Sequence, residues 1–448
     1  MKTRFFALLT AALLLLTPFA VMEVGEQALD TVSLLSRGEF QAVFDHSTPQ
    51  MQEALVSPEG FGQLWDELEA LGGAFRGTGE INRSVQAEYV VFTVETEFER
   101  SVLTMNVVFN QEGLLAGLSV SAVKPQDAAG AFEGEIVPLR EGQEDQTQAR
   151  LLLPEGAGPF PAVILVHGSG PSDMNEAVFG MTPFLDLARG LKKRGIASLR
   201  YDKYTFAHAA LLQKQPEQLA SFTIHEEYVQ DASEAVERLL GDERIASVFL
   251  LGHSQGAYVV PRAAKKLNPG DVSGMILLSG SPLSITDIIY RQNLDAIAAA
   301  NLPEEAQKQQ MAKLQEEACK VAKLDGMTEE GLKAFSIYGS MSGWYIKDEM
   351  DWAPAPLLMD MPEVPVLVVQ GGKDFQVTRE EGIRAWQSAL KERENTQYLH
   401  LPNMTHLLFD LEGPSAGIAS DYAVPTPVSD TLIDALSAWV LSQTTRSQ

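Results

Sequence analysis

A serine stands at the centre of the pattern Gly252-His-Ser-Gln-Gly256, directly after the apolar run Val248–Leu251. A serine that attacks a carbonyl carbon must project from a very tight turn between a strand and a helix. Glycine on either side removes the Cβ atoms that would clash in such a turn. The residues that follow predict a helix whose N-terminus points at the serine. The pattern therefore predicts that Ser254 is a nucleophile for acyl transfer.

Two residues further along the chain have the chemistry to activate this serine. Asp374 follows the predicted buried strand Pro365–Val369, and His406 follows the last predicted strand, Tyr398–Leu401. The carboxyl ends of parallel strands meet at one edge of a sheet, so both side chains are expected there. His406 is predicted to act as general base and Asp374 to orient its imidazole. The rival candidates lie inside or before those strands: His400, Asp360 and Glu363.

A glycine-rich turn, His167-Gly-Ser-Gly170, follows the predicted strand Ala162–Val166. Acyl transfer requires preorganised N–H groups for the oxyanion, one after the nucleophile and one after an earlier strand. The backbone N–H groups of Ser169 and Gln255 are predicted to form this oxyanion hole. His167 and the histidine at position 253 are expected to support the site rather than to react.

From residue 132 onward, short apolar runs alternate with helical patterns. This alternation predicts a mostly parallel sheet with helices on both faces, entered through a hairpin, so the fold class is α/β. The predicted strands are Phe132–Leu139, Gln148–Leu153, Ala162–Val166, Ala197–Tyr201, Val248–Leu251, Gly274–Leu278, Pro365–Val369 and Tyr398–Leu401. The predicted crossover helices are Phe184–Arg194, Ile224–Leu240, Tyr258–Leu267, Arg379–Lys391 and Ser429–Leu441. Residues 132–448 are predicted to form one domain.

Residues 25–123 have a different pattern, with helices first and strands afterwards. The predicted helices are Glu26–Leu35, Phe40–Phe44, Pro49–Leu55 and Phe61–Leu71, and the predicted strands are Val90–Phe98, Val102–Phe109 and Leu114–Val120. This order predicts a small α+β domain, and the polar residues 124–131 predict a linker. The hypotheses for this domain are a spacer, substrate presentation, or binding of a cell-surface glycan or peptide.

Four segments together resemble bacterial α/β-hydrolases of the carboxylesterase and serine-peptidase-like group: Pro161–Asp173, Gly195–Lys203, Gly252–Gly256 and Gln370–Asp374. The chain order serine, aspartate, histidine is also the α/β-hydrolase order. The resemblance implies an exported esterase acting on short acyl esters, and it implies a structural role for Asp202. Residues 25–123 resemble the DUF3887-type domain that often precedes such hydrolases.

The segment between the predicted strands at Gly274 and Pro365 is too long for an ordinary connection. Helices are predicted at Ile285–Ala300, Glu304–Ala322 and Glu329–Ile337. In the α/β-hydrolase fold this position commonly carries a cap, here assigned to residues 284–360. The aromatic residues predicted either to line an acyl pocket under this cap or to anchor the cap to the core are Trp344, Tyr345 and Trp352.

Composition narrows the classes of partner and cofactor. The 448 residues carry a formal net charge of −26, which argues against nucleic acids and anionic membrane surfaces as partners. The single cysteine, Cys319, excludes an intramolecular disulfide and a cysteine-based zinc site. The sequence contains no dinucleotide or phosphate-binding glycine motif after a strand and no His-Glu-x-x-His. It therefore predicts no cofactor and no metal.

The first residues are expected to direct export. Lys2 and Arg4 precede the apolar run Phe5–Leu16, which has the length of a signal-peptide core and is short for a bilayer span. Residues 1–22 are predicted to be a signal peptide or an N-terminal anchor. The protein is therefore expected to be secreted or extracytoplasmic, with membrane contact only if this segment is retained.

Together these features predict an exported serine hydrolase that cleaves small-molecule carboxylic esters through an acyl-enzyme. The alternatives are a serine peptidase or amidase with the same triad, or a non-catalytic binding protein on the hydrolase fold. One triad geometry serves both esters and amides, so the motifs alone leave that choice open. No oligomeric state is predicted.

Overall fold

The computed structural model describes residues 18–55, 57–86, 89–99, 101–125, 132–299, 304–338, 341–422 and 424–444. Most of the predicted signal segment and of the predicted linker lies outside these residues. The chain divides into two compact units. The first comprises Met1–Ala131, Ala177–Met181 and Tyr422–Pro425, and the second comprises the remaining residues.

The first unit packs helices on a four-stranded antiparallel sheet. Its helices are Pro18–Ser36, Phe40–Asp45, Pro49–Leu55 and Glu59–Gly72. Its strands, in the spatial order β1-β2-β3-β4, are β1 Phe75–Gln86, β2 Tyr89–Phe98, β3 Ser101–Phe109 and β4 Leu115–Pro125. Apolar side chains of the helices and of one sheet face form its core, including Phe61, Trp65 and Phe98. The predicted small α+β domain is confirmed.

Strand β1 is missing from the sequence prediction. Its residues Phe75–Gln86 are mostly polar and largely exposed, so the alternation of apolar and polar residues that marks a half-buried strand is weak. It lies at an edge of the sheet and pairs only with β2, with two register shifts. Pairing with β2, rather than burial of its own side chains, makes this segment a strand.

The second unit is built on an eight-stranded sheet in the order β14-β13-β10-β9-β7-β8-β6-β5. These strands are β5 Glu135–Leu139, β6 Thr147–Leu152, β7 Phe160–Val166, β8 Ala197–Tyr201, β9 Ile245–His253, β10 Gly274–Leu278, β13 Val366–Gly371 and β14 Thr396–Leu401. β5, β6 and β8 pair antiparallel, and every other pairing in the sheet is parallel. The predicted entry hairpin and mostly parallel sheet are confirmed.

Helices cover both faces of this sheet and bury its apolar strands. The longer ones are Pro183–Lys193, Gln230–Leu240, Gln255–Lys266 and Asp430–Thr444, the π-helical turns are His225–Val229 and Glu380–Arg384, and the shorter helices are Tyr204–Ala207, Ala209–Lys214, Pro216–Ser221 and Ala385–Ala389. One apolar layer contains Trp386 and the other contains Trp439. Because both faces are covered, β7, β10 and β13 contain continuous apolar runs.

The segment between β10 and β13 contains its own helices and a two-stranded ribbon. Its elements are Ile285–Ala299, Glu304–Val321, Glu329–Ala334, β11 Ser336–Ile337, β12 Met341–Ser342, Gly343–Asp351 and Pro354–Met359. The prediction of a helix through Ile337 is wrong, because the helix ends at Ala334 and Ile337 pairs with Met341. The Ser342 hydroxyl accepts the Tyr345 N–H at 3.1 Å and so begins the helix Gly343–Asp351.

Within the residues described, no helix has both the length and the apolar character needed to cross a membrane.

Candidate active site

Ser254 occupies a strained turn between β9 and the helix Gln255–Lys266. Its backbone has φ 53° and ψ −118°, a conformation that side-chain-bearing residues rarely adopt. A Cβ on Gly252 would lie 2.2 Å from the Gly256 carbonyl oxygen, and one on Gly256 would lie 2.4 Å from the Val166 oxygen. Both glycines are therefore required sterically, as the sequence pattern predicts. The turn presents the serine hydroxyl at the N-terminus of a helix.

The structure brings Ser254, His406 and Asp374 into one hydrogen-bonded chain. His406 Nε2 lies 3.1 Å from Ser254 Oγ, and His406 Nδ1 lies 2.9 Å from Asp374 Oδ2. His406 and Asp374 are only 5% and 6% exposed. The three residues follow β9, β13 and β14, so the carboxyl edge of the parallel sheet places them together. This geometry suits proton transfer from the serine to the imidazole.

The carboxylate of Asp374 is fixed by three further donors. The N–H groups of Gln376 and Val377 donate to Oδ1 at 3.0 and 2.9 Å, and Gln370 Nε2 donates to Oδ2 at 3.0 Å. With these bonds the carboxylate can neither rotate nor approach solvent freely. It is therefore a rigid acceptor for the Nδ1–H of His406 and selects the tautomer that leaves Nε2 free to accept a proton.

The loop after β7 lies against the nucleophile. A Cβ on Gly168 would lie 3.1 Å from Ser254 Cβ, a tight contact, so glycine favours this close approach of the loop. Among the described residues, the N–H groups of Ser169 and Gln255 donate to no protein acceptor. Two free N–H groups beside a serine hydroxyl are the arrangement that an oxyanion requires.

A second acid and histidine lie behind the triad. Glu176 Oε1 accepts the Gly168 N–H at 2.7 Å, and Glu176 Oε2 lies 2.8 Å from His253 Nδ1. His253 Nε2 in turn lies 2.9 Å from the His406 carbonyl oxygen. Burial opposes charge on both groups, but their mutual attraction prevails, so the pKa of Glu176 is lowered and that of His253 is raised. This ion pair joins the oxyanion loop to the backbone of His406.

An open cavity lies beside Ser254, with a volume of about 280 Å³ that includes open solvent. Four aliphatic side chains line it: Leu283, Ile285, Ile288 and Val377. The other lining residues, which carry polar groups, are Ser254, Gln255, Tyr258, Ser281 and Glu349. Five of the lining residues belong to the segment between β10 and β13. The lining therefore suits a small apolar group bonded to the carbonyl that Ser254 would attack.

The aromatic residues predicted to line the pocket are not among those that line this cavity. Trp344 packs in the small core of the cap segment, beside Lys333. The Tyr345 hydroxyl donates to Glu227 at 2.7 Å, and Trp352 stacks on the guanidinium of Arg262. The contacts of Tyr345 and Trp352 match the alternative prediction, in which the aromatic residues anchor the cap to the core, whereas Trp344 packs within the cap segment. The periodicity of the sequence does not distinguish the two roles, because both require partly buried aromatic side chains.

Glu349 is a pocket residue that the sequence prediction missed. It lies on the helix Gly343–Asp351 and is 1% exposed. Gln255 Nε2 donates to its carboxyl at 3.2 Å and the Ile285 N–H at 3.1 Å. Burial raises the pKa of Glu349 to about 8, so its carboxyl is neutral at neutral pH. A lone glutamate in a charged, helical stretch gives no signal of such a position.

Two comparisons with protein families follow the division into units. The model of a family described as "Serine aminopeptidase, S33" matches residues 159–412, more than half of the chain. The chain belongs to this family. A second family model, described as a protein of unknown function (DUF3887), matches residues 28–118 in the first unit. The resemblance of both parts to known families is confirmed.

The proteins that are similar to this S33-family chain include esterases and a peptidase. Esterase EstD of Thermotoga maritima is 27% identical over 420 residues, which cover 93% of this chain and 95% of the relative. Est1E from Butyrivibrio proteoclasticus is 16% identical, with a TM-score of 0.43 over 69% of this chain and 99% of its own. A proline iminopeptidase from Mycobacterium smegmatis is also 16% identical, with a TM-score of 0.45 over 70% of this chain and 100% of its own.

Two further polar residues of the S33-family unit, His167 and Asp202, have structural partners. His167 is buried against Phe184 and Tyr201, and burial lowers its pKa to about 4, so it stays neutral. Asp202 accepts the Met174 N–H at 2.7 Å, in keeping with the structural role that the resemblance implies. In the described part of the chain, no group of three or more His, Cys, Asp and Glu side chains is placed to hold a metal ion.

Proposed function

We propose that this protein is a serine carboxylesterase that works through an acyl-enzyme, with Ser254 as nucleophile, His406 as general base and acid, and Asp374 as the group that orients the histidine. The observation that carries this proposal is the hydrogen-bonded chain from Ser254 Oγ through His406 to Asp374, opening onto an apolar cavity. Similarity to an esterase along almost the whole chain supports it.

The first half of the proposed reaction forms the acyl-enzyme. Ser254 Oγ attacks the ester carbonyl carbon while its proton passes to His406 Nε2. The N–H groups of Ser169 and Gln255 stabilise the negative charge on the carbonyl oxygen. The bond from the carbonyl carbon to the alkoxy oxygen then breaks, and His406 gives its proton to the departing alcohol.

The second half restores the enzyme. A water molecule gives a proton to His406 Nε2 and attacks the acyl carbon. The bond to Ser254 Oγ breaks, Oγ takes the proton back from His406, and the carboxylic acid leaves. No cofactor or metal is needed at any step, because every proton has a donor or an acceptor among these residues and water.

The acyl group of the proposed substrate is short. The aliphatic side chains of Leu283, Ile288 and Val377 border the cavity beside Ser254. The space of about 280 Å³ includes open solvent, so the enclosed part is smaller and suits a small acyl group. A substrate with a short, uncharged acyl group therefore fits best.

The S33 family description and the shared triad make an aminopeptidase the second candidate. An aminopeptidase must bind the free amino group of its substrate, and Glu349 is the acid that lines this cavity. Because burial raises the pKa of Glu349 to about 8, its carboxyl is neutral where an amine would need a negative charge. This observation favours neutral acyl esters over peptides with a free N-terminus.

The test is hydrolysis of p-nitrophenyl esters from acetate to palmitate, with an aminoacyl p-nitroanilide in parallel. We expect turnover that peaks at short esters and falls by at least about 10³-fold in Ser254→Ala. Ser281→Ala is the matched control, because Ser281 lines the same cavity but its hydroxyl donates to Glu381 at 2.6 Å. This control is expected to keep activity within about tenfold of the wild type.

Each other outcome has a defined meaning. Turnover of the anilide without turnover of esters would assign the protein to the aminopeptidases. Ester hydrolysis that persists in Ser254→Ala would remove the triad from the mechanism. Absence of Ser254-dependent hydrolysis of any substrate would contradict the proposed reaction and support a binding role for the hydrolase fold.

A further inference from the structure

Lys203 is a buried cation that the proposed reaction leaves without a role. It follows β8 and is 1% exposed. Four oxygen atoms surround its Nζ: the Gly168 carbonyl at 3.0 Å, the Gly170 carbonyl at 2.9 Å, the Tyr228 hydroxyl at 2.5 Å and Glu227 Oε1 at 2.8 Å. Two of these four acceptors belong to the loop that carries Ser169. The ammonium group therefore connects that loop to the interior of the unit.

The contact with Gly168 determines the direction of the Ser169 N–H. The Gly168 carbonyl and the Ser169 N–H belong to one peptide group, which is planar, and in a trans peptide they point in opposite directions. When Lys203 and Tyr228 hold the carbonyl from the interior, the N–H must point the other way. The bond to Gly170 fixes the following turn of the loop, so Ser169 is held on both sides.

The same cluster contacts the residue that carries the second free N–H. The Tyr228 oxygen lies 2.8 Å from the Gly168 carbonyl oxygen and 2.8 Å from Gln255 Oε1. Gln255 Nε2 extends the network to Glu349, and Glu227 extends it to the hydroxyl of Tyr345. Lys203 therefore lies at the centre of a network that contacts the peptide group carrying the Ser169 N–H and the side chain of Gln255.

Keeping this cation buried is unfavourable. Burial lowers the pKa of Lys203, although the nearby carboxylates of Glu227 and Glu176 oppose that shift. An apolar side chain of similar length could fill the same space without the desolvation penalty of a charge. A methionine, however, has no N–H groups to hold two carbonyls. The unfavourable free energy of burying this charge is therefore offset by a function that requires N–H donors, namely holding the two carbonyl groups.

We propose that Lys203 is a positioning residue of the oxyanion hole, holding the carbonyls of Gly168 and Gly170 so that the Ser169 N–H stays directed at the substrate oxygen. This role rests on the proposed acyl transfer by Ser254. Lys203 itself touches neither the substrate nor the reacting atoms. Its contribution is greatest when negative charge is on the carbonyl oxygen, because the N–H bond to that oxygen is strongest then.

The test compares a transition-state mimic with a ground state. A short alkyl trifluoromethyl ketone accepts the Ser254 oxygen at its carbonyl carbon, the serine proton passes to His406, and the ketone oxygen becomes an oxyanion. Two variants weaken the hold on the loop: Lys203→Met combined with Glu227→Gln, which avoids leaving a lone buried carboxylate, and Tyr228→Phe, which removes one hydroxyl. The measurements are the inhibition constant, kcat and KM.

We expect Lys203→Met/Glu227→Gln to weaken inhibition by the ketone and to lower kcat by about 10- to 100-fold, with KM within about threefold of the wild type. Tyr228→Phe is expected to change the same two quantities by a smaller factor. Combining all three substitutions should add less than the product of the separate effects, because the residues act in one network.

Arg393→Met is the matched control. Arg393 is also a buried cation, and it donates to the backbone carbonyls of Leu358 and Met361 at 3.1 and 2.9 Å, away from the oxyanion loop. This variant should lose stability while its ratio of ketone affinity to KM stays that of the wild type. An equal change of that ratio in the Arg393 and Lys203 variants would overturn the proposal, since the effect would then be general loosening.

Two further results separate this inference from the proposed function. Ser254-dependent ester hydrolysis with unchanged ketone inhibition in the Lys203 and Tyr228 variants would overturn only the role of Lys203. A wild-type protein that neither hydrolyses esters nor binds the ketone would overturn the acyl-transfer reaction on which that role depends. If the triple substitution does not fold, Tyr228→Phe alone decides, because it removes a single oxygen atom and leaves the ion pair intact.

Discussion

Glu176 combines an unfavourable backbone with a buried charge, and both are explained by what its carboxylate contacts. Its φ of 52° lies in the left-handed region, which a side-chain-bearing residue rarely adopts. In that conformation its two oxygens reach Gly168 N–H and His253 Nδ1. One residue thereby links the oxyanion loop to the histidine behind His406, so the strain has a local structural use.

Replacing Glu176 by Gln should destabilise the protein most in mildly acidic solution. The carboxylate has a pKa below its usual 4.5 and His253 a pKa above its usual 6.5. The contribution of Glu176 is present above pH 4.5 and lost as pH falls through its folded pKa. The contribution of His253 is present below pH 6.5 and lost as pH rises through its folded pKa. The ion pair therefore stabilises most between those two values.

We expect Glu176→Gln to lower the free energy of unfolding by roughly 1–3 kcal/mol at pH 5.5, and by less as pH rises through the folded pKa of His253, which lies above its usual 6.5. Urea denaturation across this pH range measures the difference. Glu144→Gln, at an exposed glutamate of the same unit, is the control and should change little at any pH. A difference that does not vary with pH would contradict the ion pair.

At the scale of elements, the sequence predicts the parallel strands and the site residues at their ends well. The reason is physical: β7, β10 and β13 are buried on both faces and show as apolar runs, and functional side chains follow such strands directly. Ser254, Asp374 and His406 could therefore be proposed from local pattern alone, and the structure brings them together.

Elements held by tertiary contacts could not be predicted in this way. The edge strand β1 consists mostly of polar residues, and β11 and β12 have two residues each. None of the three strands therefore shows a detectable alternation of apolar and polar residues. The positions of Lys203, Glu227 and Glu349 were missed for the same reason. From sequence alone, a charged residue is expected to be exposed. Its burial depends on partners that compensate its charge, and those partners are distant along the chain.

The cap helix Gly343–Asp351 brings one titrating group into the site. Asp348 pairs with Arg262 at 2.6 Å and attaches this helix to the helix Gln255–Lys266, while Glu349 lines the cavity. Since the pKa of Glu349 is about 8, its carboxyl is neutral below that pH and negative above it. A negative charge there would oppose the oxyanion that develops near Gln255.

We expect kcat/KM for a short neutral ester to fall as pH rises through about 8 in the wild type, and to stay level in Glu349→Gln. The measurement is a pH–rate profile from pH 6.5 to 9.5, corrected for spontaneous hydrolysis. Glu330→Gln, at an exposed position of the cap helix Glu329–Ala334, should follow the wild type. The same alkaline fall in Glu349→Gln would show that another group titrates.

At the scale of the whole molecule, the two units have separate cores. The first is built around Phe61, Trp65 and Phe98, and the second has an apolar layer on each face of its sheet. Every residue assigned to the proposed reaction lies in the second unit. The proposed chemistry is therefore explained by that unit alone.

The first residues of the chain support a proposal about the cellular location of this reaction. Lys2 and Arg4 precede the apolar run Phe5–Leu16, a combination typical of export signals. An apolar run of this length is shorter than the roughly 20 residues that a helix needs to span a bilayer. We therefore propose that residues 1–22 direct the protein out of the cytoplasm, either as a signal peptide that is removed or as a retained N-terminal anchor.

We expect a bacterial host to accumulate Ser254-dependent esterase activity outside the cytoplasm with the full chain, and inside it with a chain lacking residues 2–22. Specific activity should be equal for the two, because no proposed reacting residue precedes position 132. Mass determination of the exported protein shows whether residues 1–22 are removed or retained as an anchor. Full-length Ser254→Ala, detected with an antibody, is the control for activity of the host's own esterases. Cytoplasmic accumulation of both chains would refute export, since the apolar segment would then have no influence on location.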